Sequence, residues 1–264
     1  MKNKINGIKE LLAEEISAII KSTNLEIWKE PIIGFADVNH PYIRNLSKYA
    51  GDSHQMPEDV MDDAAAVLVY FLPFREELVK SNRGSGLATS EWACIYEKTN
   101  ALFPLLNNHL TEVIHNLGYE AKQASEAPIF YRDEIMSHWS FRHFAYAAGL
   151  GTFGMNNMLI TAAGCAGRLN GLVTNLPVET GSPQTEQACL YKRSGKCGLC
   201  LKICPAGALT ADGYDRKKCY DQCLKNAEVH TEFGSSYSDN SGRTIGSEVC
   251  GKCIAGMPCA HRRP

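Results

Sequence analysis

Lys196-Cys197-Gly198-Leu199-Cys200-Leu201-Lys202-Ile203-Cys204-Pro205 decides how this chain is read. Its spacing is the latter part of a C-x2-C-x2-C-x3-C-P run, in which three thiolates close round one [4Fe–4S] cube and the Cys before Pro reaches a second. Counted back from Cys204, the first Cys of the run is replaced by Ser194, and a hydroxyl is a poor ligand where soft thiolates are wanted. The nearest thiol upstream is Cys189, and the intervening Leu190 to Lys196 contains Gly195, which lets the chain loop back. Cys189 is therefore the expected replacement.

Nine of the eleven cysteines lie from Cys189 onward. After the first run come Cys219 and Cys223, then Cys250-Gly251-Lys252-Cys253 and Cys259. If the two halves exchange ligands as two-cluster ferredoxins do, one cube takes Cys189, Cys197, Cys200 and Cys259, and the other takes Cys204, Cys219, Cys250 and Cys253. Cys223 is left over. It stands four residues after Cys219, on the same helical face, and competes with it for the same place. Two C-x2-C pairs also suit zinc, but the extra C-x3-C-P and the number of thiols exceed what one zinc needs. Disulfides fit less well, because the start of the chain has neither an apolar signal core nor a twin arginine. No stretch approaches the ~18 apolar residues of a membrane span, and a cytoplasmic protein is expected.

With 264 residues and 44% hydrophobic content, the chain can bury a substantial core. Its formal charge of −2 conceals an asymmetry: residues 186–264 are net basic and residues 1–185 net acidic. The basic module suits an acidic electron donor such as a flavodoxin or ferredoxin.

Upstream, Ile5, Ile8, Leu12, Ile16 and Ile19 recur with the period of an amphipathic helix. Pro31 to Ala36 reads as a short strand, and Ala64 to Pro73, apolar throughout, reads as a central strand buried on both faces. Residues 90–117 carry apolar side chains at helical spacing, with a break expected near Pro104. Asp52-Ser53-His54-Gln55-Met56-Pro57 approaches the D-x-H-x-x-G box of some cobalamin proteins but lacks its Gly, so His54 reads as a loop histidine. Ile135 to Ala148 is expected to be a helix, followed by Gly149-Leu150-Gly151-Thr152-Phe153-Gly154. That is G-x-G-x-x-G in letters. A dinucleotide site needs a strand before and a helix after, whereas the order here is helix, glycines, strand. These glycines, with Asn156 and Asn157, are expected to let backbone approach a flat cofactor or a cluster. The segment from Ala163 to Pro177 reads as a hairpin added to the sheet. The expected architecture is α+β: an α/β cofactor or substrate domain over 1–185 and a ferredoxin-like double [4Fe–4S] domain over 186–264.

Ala148 to Asn157 resembles the A-G-L-G-W-I-G-K-N segment of epoxyqueuosine reductases, and the cysteine sets resemble their double-cluster module. Asp215-Arg216-Lys217-Lys218-Cys219 is similar to the segment carrying a lone cluster cysteine, which favours Cys219 over Cys223. The resemblance covers roughly residues 60–259. With the related reductive dehalogenases, it implies a nitroreductase-like α/β domain, base-off cobalamin reduced through two clusters, and a small-molecule or corrinoid substrate. Thr152 and Met155 replace the family's Trp and Lys, and Ser125 of Ser125-Glu126-Ala127-Pro128 stands where the family has a proton-donating Asp. Arg142, His143 and Tyr131 are then the candidates for supplying a proton. The helical-repeat tail by which the family holds tRNA is not seen, so tRNA is not the expected partner. The alternative function is a non-enzymatic electron carrier that docks a redox partner.

Overall fold

The computed structural model describes residues 7–124, 130–131, 134–235 and 246–264. In chain order the helices are α1 (Ile8–Ser22), α2 (Pro41–Arg44), α3 (Leu46–Ala50), α4 (Pro57–Val60), α5 (Glu76–Ser81), α6 (Ser90–Asn116), α7 (Phe141–Ala147), α8 (Leu190–Ser194), α9 (Leu199–Ile203) and α10 (Arg216–Val229). The strands are β1 (Ile32–Asp37), β2 (Ala66–Pro73), β3 (Ala121–Lys122), β4 (Phe130–Tyr131), β5 (Met136–Ser137), β6 (Gly151–Phe153), β7 (Leu159–Thr161) and β8 (Gly167–Thr174). The chain folds into two compact units made of interleaved segments.

The first unit comprises Met1–Pro73, Phe103–Thr152 and Gly167–Glu186. At its centre is a sheet of order β1-β2-β8-β3 in which every pair is antiparallel. All eight residues of β2 are buried, as its unbroken apolar run requires of a strand covered on both faces. Full burial of a Val or Leu side chain contributes about 1.5–3 kcal/mol, so β2 is the unit's energetic spine. Helix α1 buries Ile8, Leu12, Ile16 and Ile20 and packs on β1, while α7 packs on β1, β2 and β8. The one hydroxyl within β2, on Tyr70, donates to Asn107 Oδ1 at 2.9 Å, and Asn107 Nδ2 donates to Asn170 Oδ1 at 3.1 Å. A buried polar group is costly unless paired, and these bonds satisfy it.

Three sequence expectations are corrected. Helix α6 runs unbroken through Pro104. The helix expected from Ile135 is confined to α7: Ile135 itself has a φ of 49°, and β5 follows it. Strand β8 joins the central sheet as expected but pairs with β2 and β3 and not as a hairpin with β7, and a tight turn between Thr161 and Gly164 redirects the chain.

The second unit comprises Phe74–Leu102, Phe153–Ala166 and Gln187–Pro264. Regular structure is sparse here, and buried amides tie loops together. Asn82 Oδ1 accepts from the Thr89 N–H at 3.2 Å while its Nδ2 donates to Cys250 O at 2.8 Å. Asn226 Oδ1 accepts from the Ala88 N–H at 2.7 Å, and His230 Nε2 lies 2.8 Å from Ala88 O. Backbone bonds from Cys165 N to Cys259 O and from Ala166 N to Ala260 O, both 2.9 Å, bring the glycine-rich turn against the C-terminal segment. Among the described residues, no helix is long and apolar enough to cross a membrane.

Candidate metal centres

The thiols of the second unit fall into two groups. Cys189 is the N-cap of α8, and Cys200 lies in α9, whose N-cap is the left-handed Gly198. With Cys197 and Cys259 they line one cleft. Burial, and then the neighbouring Cys259, Cys189 and Cys197 thiolates, push the Cys200 thiol up to about 11. Ser194 points elsewhere: its Oγ donates to Leu190 O at 3.0 Å within its own helix. Cys189 thus lines the same cleft as Cys197, Cys200 and Cys259, and Ser194 does not.

The second group forms where α10 meets the C-G-K-C loop. Asp215 caps α10 by accepting from the Lys218 N–H at 3.0 Å, which sets Cys219 in the first turn. Burial first, then the Cys219 and Cys204 thiolates, raise the Cys250 thiol to about 11, against the lowering effect of Lys252. Cys253 is raised by burial and then by Cys250, Cys219, Cys200 and Cys204. Cys200 thus lies within electrostatic reach of both groups. Cys204 Sγ also accepts a hydrogen bond from the Ala208 N–H at 3.3 Å.

Two thiols stand beside these groups. Cys223 has its thiol raised first by a hydrogen bond to Cys219 and then by burial. Cys165, which lies outside the cysteine sets read from spacing, is buried with Sγ 3.9 Å from Cys259 Sγ. Nothing in local spacing could have found it, since the two are joined only by the fold.

At Cys200, Cys250 and Cys253 burial is the first cause of the raised thiol and neighbouring thiols add to it, while Cys259 is lowered by its hydrogen bond with Cys165. A metal bound by such thiols would supply positive charge and displace their protons. Among the described residues, no three His, Cys, Asp or Glu side chains converge as for a single metal ion. Four thiols round one cleft lined otherwise by neutral side chains are the donor set that a [4Fe–4S] cube takes.

The glycine segment divides between the two units. In the first, α7 ends in a Schellman motif: the Gly149 N–H donates to Tyr146 O at 3.0 Å and the Leu150 N–H to Ala145 O at 2.9 Å. Gly149 has a φ of 74°, and a Cβ there would lie 2.5 Å from Ser182 O, so this glycine serves helix termination. Gly151 begins β6. In the second unit, Gly154 and Asn156 line the four-thiol cavity. Asn156 is spent on protein: Nδ2 donates to Cys253 O at 3.3 Å and approaches Cys165 Sγ at 3.7 Å, while Oδ1 accepts from the Met158 N–H. Asn157 adopts a left-handed φ of 58°.

The proton-supplying candidates lie in the first unit. His143 Nδ1 and Ser140 Oγ share a hydrogen bond of 2.7 Å, and burial, with Arg142 and His54 adding repulsion, lowers its pKa to about 4. It is therefore neutral at pH 7. Its ring stacks at 6.3 Å on Tyr42, which also stacks on Tyr49 at 4.6 Å, and burial raises the Tyr42 hydroxyl. Tyr131 belongs to β4, paired with Met136 of β5, while its side chain and all of Ser125 to Pro128 lie outside the described residues. Both nitrogens of His54 are engaged by protein: Nε2 accepts from the Ser140 N–H at 2.9 Å and Nδ1 lies 2.6 Å from Gln55 O.

No protein-family profile matches this chain, and no curated protein matches it in sequence. Solved structures do. A selenomethionine-labelled epoxyqueuosine reductase matches with a TM-score of 0.58 at 20% identity, covering 97% of this chain and 66% of that one. The Bacillus subtilis epoxyqueuosine reductase matches at 0.55 and 19%, with the same coverage. A catabolic reductive dehalogenase in complex with 3-bromo-4-hydroxybenzoic acid matches at 0.52 and 16%, over 76% of this chain and 26% of its own. The likeness is one of fold, and the chain spans 66% of the length of the first two reductases.

Proposed function

We propose that this chain is an iron–sulfur oxidoreductase that passes low-potential electrons through two [4Fe–4S] cubes to a corrinoid or small-molecule electrophile. One observation carries the reading: the thiols gather in two neighbouring groups within one compact unit, in a fold shared with two kinds of reductase. Cys189, Cys197, Cys200 and Cys259 hold one cube; Cys204, Cys219, Cys250 and Cys253 hold the other. When bound, the cubes supply one-electron chemistry at potentials set by ligation, hydrogen bonding and burial. Ile160, Met257 and Pro258 line the same cleft and would give the first cube an apolar wall. Cys200, in reach of both groups, is the natural link between them.

Cobalamin enters through the fold likeness alone. Gly149 and Asn156 are committed to protein contacts, so they do not form its cradle, and His54, with both nitrogens engaged, does not offer a lower ligand. A corrinoid here would be base-off. Arg142, His143 and Tyr131 remain the proposed source of hydrogen bonds or a proton to the substrate, with His143 acting as a neutral imidazole. The basic cysteine-bearing segment is proposed to dock an acidic flavodoxin or ferredoxin in the cytoplasm. One related structure holds a modified tRNA stem loop, and the same module could meet RNA; a small substrate remains our proposal.

The test is anaerobic reconstitution, followed by titration with cob(II)alamin under electron paramagnetic resonance. About eight iron per chain and a stoichiometric base-off signal are expected. Two intact cubes with no corrinoid signal would make the chain an electron carrier, and gel-shift with a tRNA stem loop separates the RNA reading.

A further inference from the structure

Lys252 lies between Cys250 and Cys253 and is only 2% exposed. A lysine is almost never this buried without an ionic partner, because an ammonium removed from water needs a counter-charge. No carboxylate within 4 Å pairs with it among the described residues. Its Nζ donates to the backbone O of Asn82 at 3.2 Å, and Asn82, fully buried, is itself locked to Cys250 O and the Thr89 N–H. A neutral carbonyl orients the ammonium without neutralising it. Burial pushes the Lys252 ammonium down and the neighbouring Cys250 sulfur acts in the opposite direction, while the Lys252 backbone N–H donates to that sulfur. The first thiol group has no equivalent, since no side chain of opposite charge lines its cavity, and Lys192, Arg193 and Lys196 nearby in sequence are exposed.

We propose that the Lys252 ammonium is the counter-charge of the second cube and holds that cube's reduction potential above the first's. The inference rests on the two-cube reading. A [4Fe–4S] core with four thiolates carries −2 when oxidised and −3 after accepting one electron from an external donor, and no bond breaks. A fixed positive charge in a low-dielectric site stabilises the −3 state more than the −2 state, and net charge is one of the known levers on cluster potential. An electron entering the protein therefore comes to rest on the Cys204/Cys219/Cys250/Cys253 cube.

The experiment is an anaerobic redox titration of reconstituted full-length protein with dithionite, followed by electron paramagnetic resonance, with iron measured on the same samples. The second cube is identified by its loss in Cys219→Ala. Lys252→Gln keeps a donor for Asn82 O but no charge, and Lys252→Met keeps neither. Both are expected to retain full iron and to lower the reduced-to-oxidised ratio of the second cube at least tenfold at fixed ambient potential, equivalent to 59 mV for one electron. The first cube should not move. Unchanged potentials in both variants, equal shifts of both cubes, or a wild-type potential in Lys252→Gln overturns the proposal. Loss of the second cube's iron in both variants also overturns it, by making the ammonium an assembly element. Wild-type protein that takes up no cubes refutes the two-cube reading itself, which is a distinguishable failure.

Discussion

Gly251→Ala should be among the most damaging single-methyl changes in the second unit. Gly251 sits between Cys250 and Cys253 with a φ of 67°, and a Cβ there would lie 2.3 Å from Trp92 Cε2 and Nε1. Trp92 is 2% exposed and meets Phe74 edge-on at 5.5 Å, so the indole has nowhere to retreat. The left-handed backbone costs an L-residue about 1–2 kcal/mol, and forcing a methyl into a packed site costs about 1–3 kcal/mol more. Together these predict a loss of about 2–5 kcal/mol. Gly207→Ala isolates the backbone share, because Gly207 has a φ of 58° but nothing within 4 Å of its Cβ position. It should lose only about 1–2 kcal/mol. Anaerobic guanidinium unfolding of both variants gives the difference, and iron analysis reports whether the displaced loop still binds. A Trp92→Phe change in the Gly251→Ala background should return part of the loss, with a coupling of about 1 kcal/mol or more. If Gly251→Ala and Gly207→Ala unfold within about 0.5 kcal/mol of each other, the indole is not the obstacle and the packing argument fails.

Further expectations concern ligands and pH. Cys189→Ala should remove one cube's iron while Ser194→Ala leaves iron unchanged, and equal iron in wild type and Cys189→Ala would sink the replacement. Cys219→Ala should cost a cube where Cys223→Ala does not, by the same iron assay. Stability should fall as pH drops from about 6.5 towards 4. His143 has a folded pKa near 4, below its unfolded value, so the unfolded chain takes up the proton first and is favoured through that window. The loss is on the order of 2–3 kcal/mol, and His54, lowered chiefly by burial, acts in the same direction. Unfolding midpoints at pH 7 and 4.5 should differ less in His143→Gln than in wild type; an identical pH dependence means that His143 is not the titrating group.

What could be read before the structure was whatever depends on local order. The apolar run of β2 and the period of α1 each carry their own physical reason, and each element appears where expected. The misread stretches failed for tertiary reasons. Pro104 breaks the pattern of α6, but a helix packed along its length tolerates a lost bond that an isolated helix would not. The apolar content of 135–148 suggested one helix, yet β5 and the left-handed Ile135 take the first part. The interleaving of 74–102 and 153–166 with the cysteine segment was invisible, because it is built from buried asparagines such as Asn82 and Asn226, which a local reading assigns to loops.

The two spare thiols bear on the ligand sets themselves. Each stands beside a proposed ligand, Cys165 against Cys259 and Cys223 against Cys219, so proximity alone does not choose between members of a pair. Geometry does better. Cys165 does not line the cleft that Cys259 lines, and its backbone N–H is held to Cys259 O at 2.9 Å, which keeps it out of the proposed ligand set. Cys165→Ala should therefore leave iron unchanged, whereas Cys259→Ala should cost a cube. Cys223 is held less firmly, one turn further along α10 with its sulfur on the same face as that of Cys219. A partial retention of the second cube in Cys219→Ala, abolished in the Cys219→Ala/Cys223→Ala double variant, would show that the helix offers two usable positions; complete loss in the single variant assigns the site to Cys219 alone.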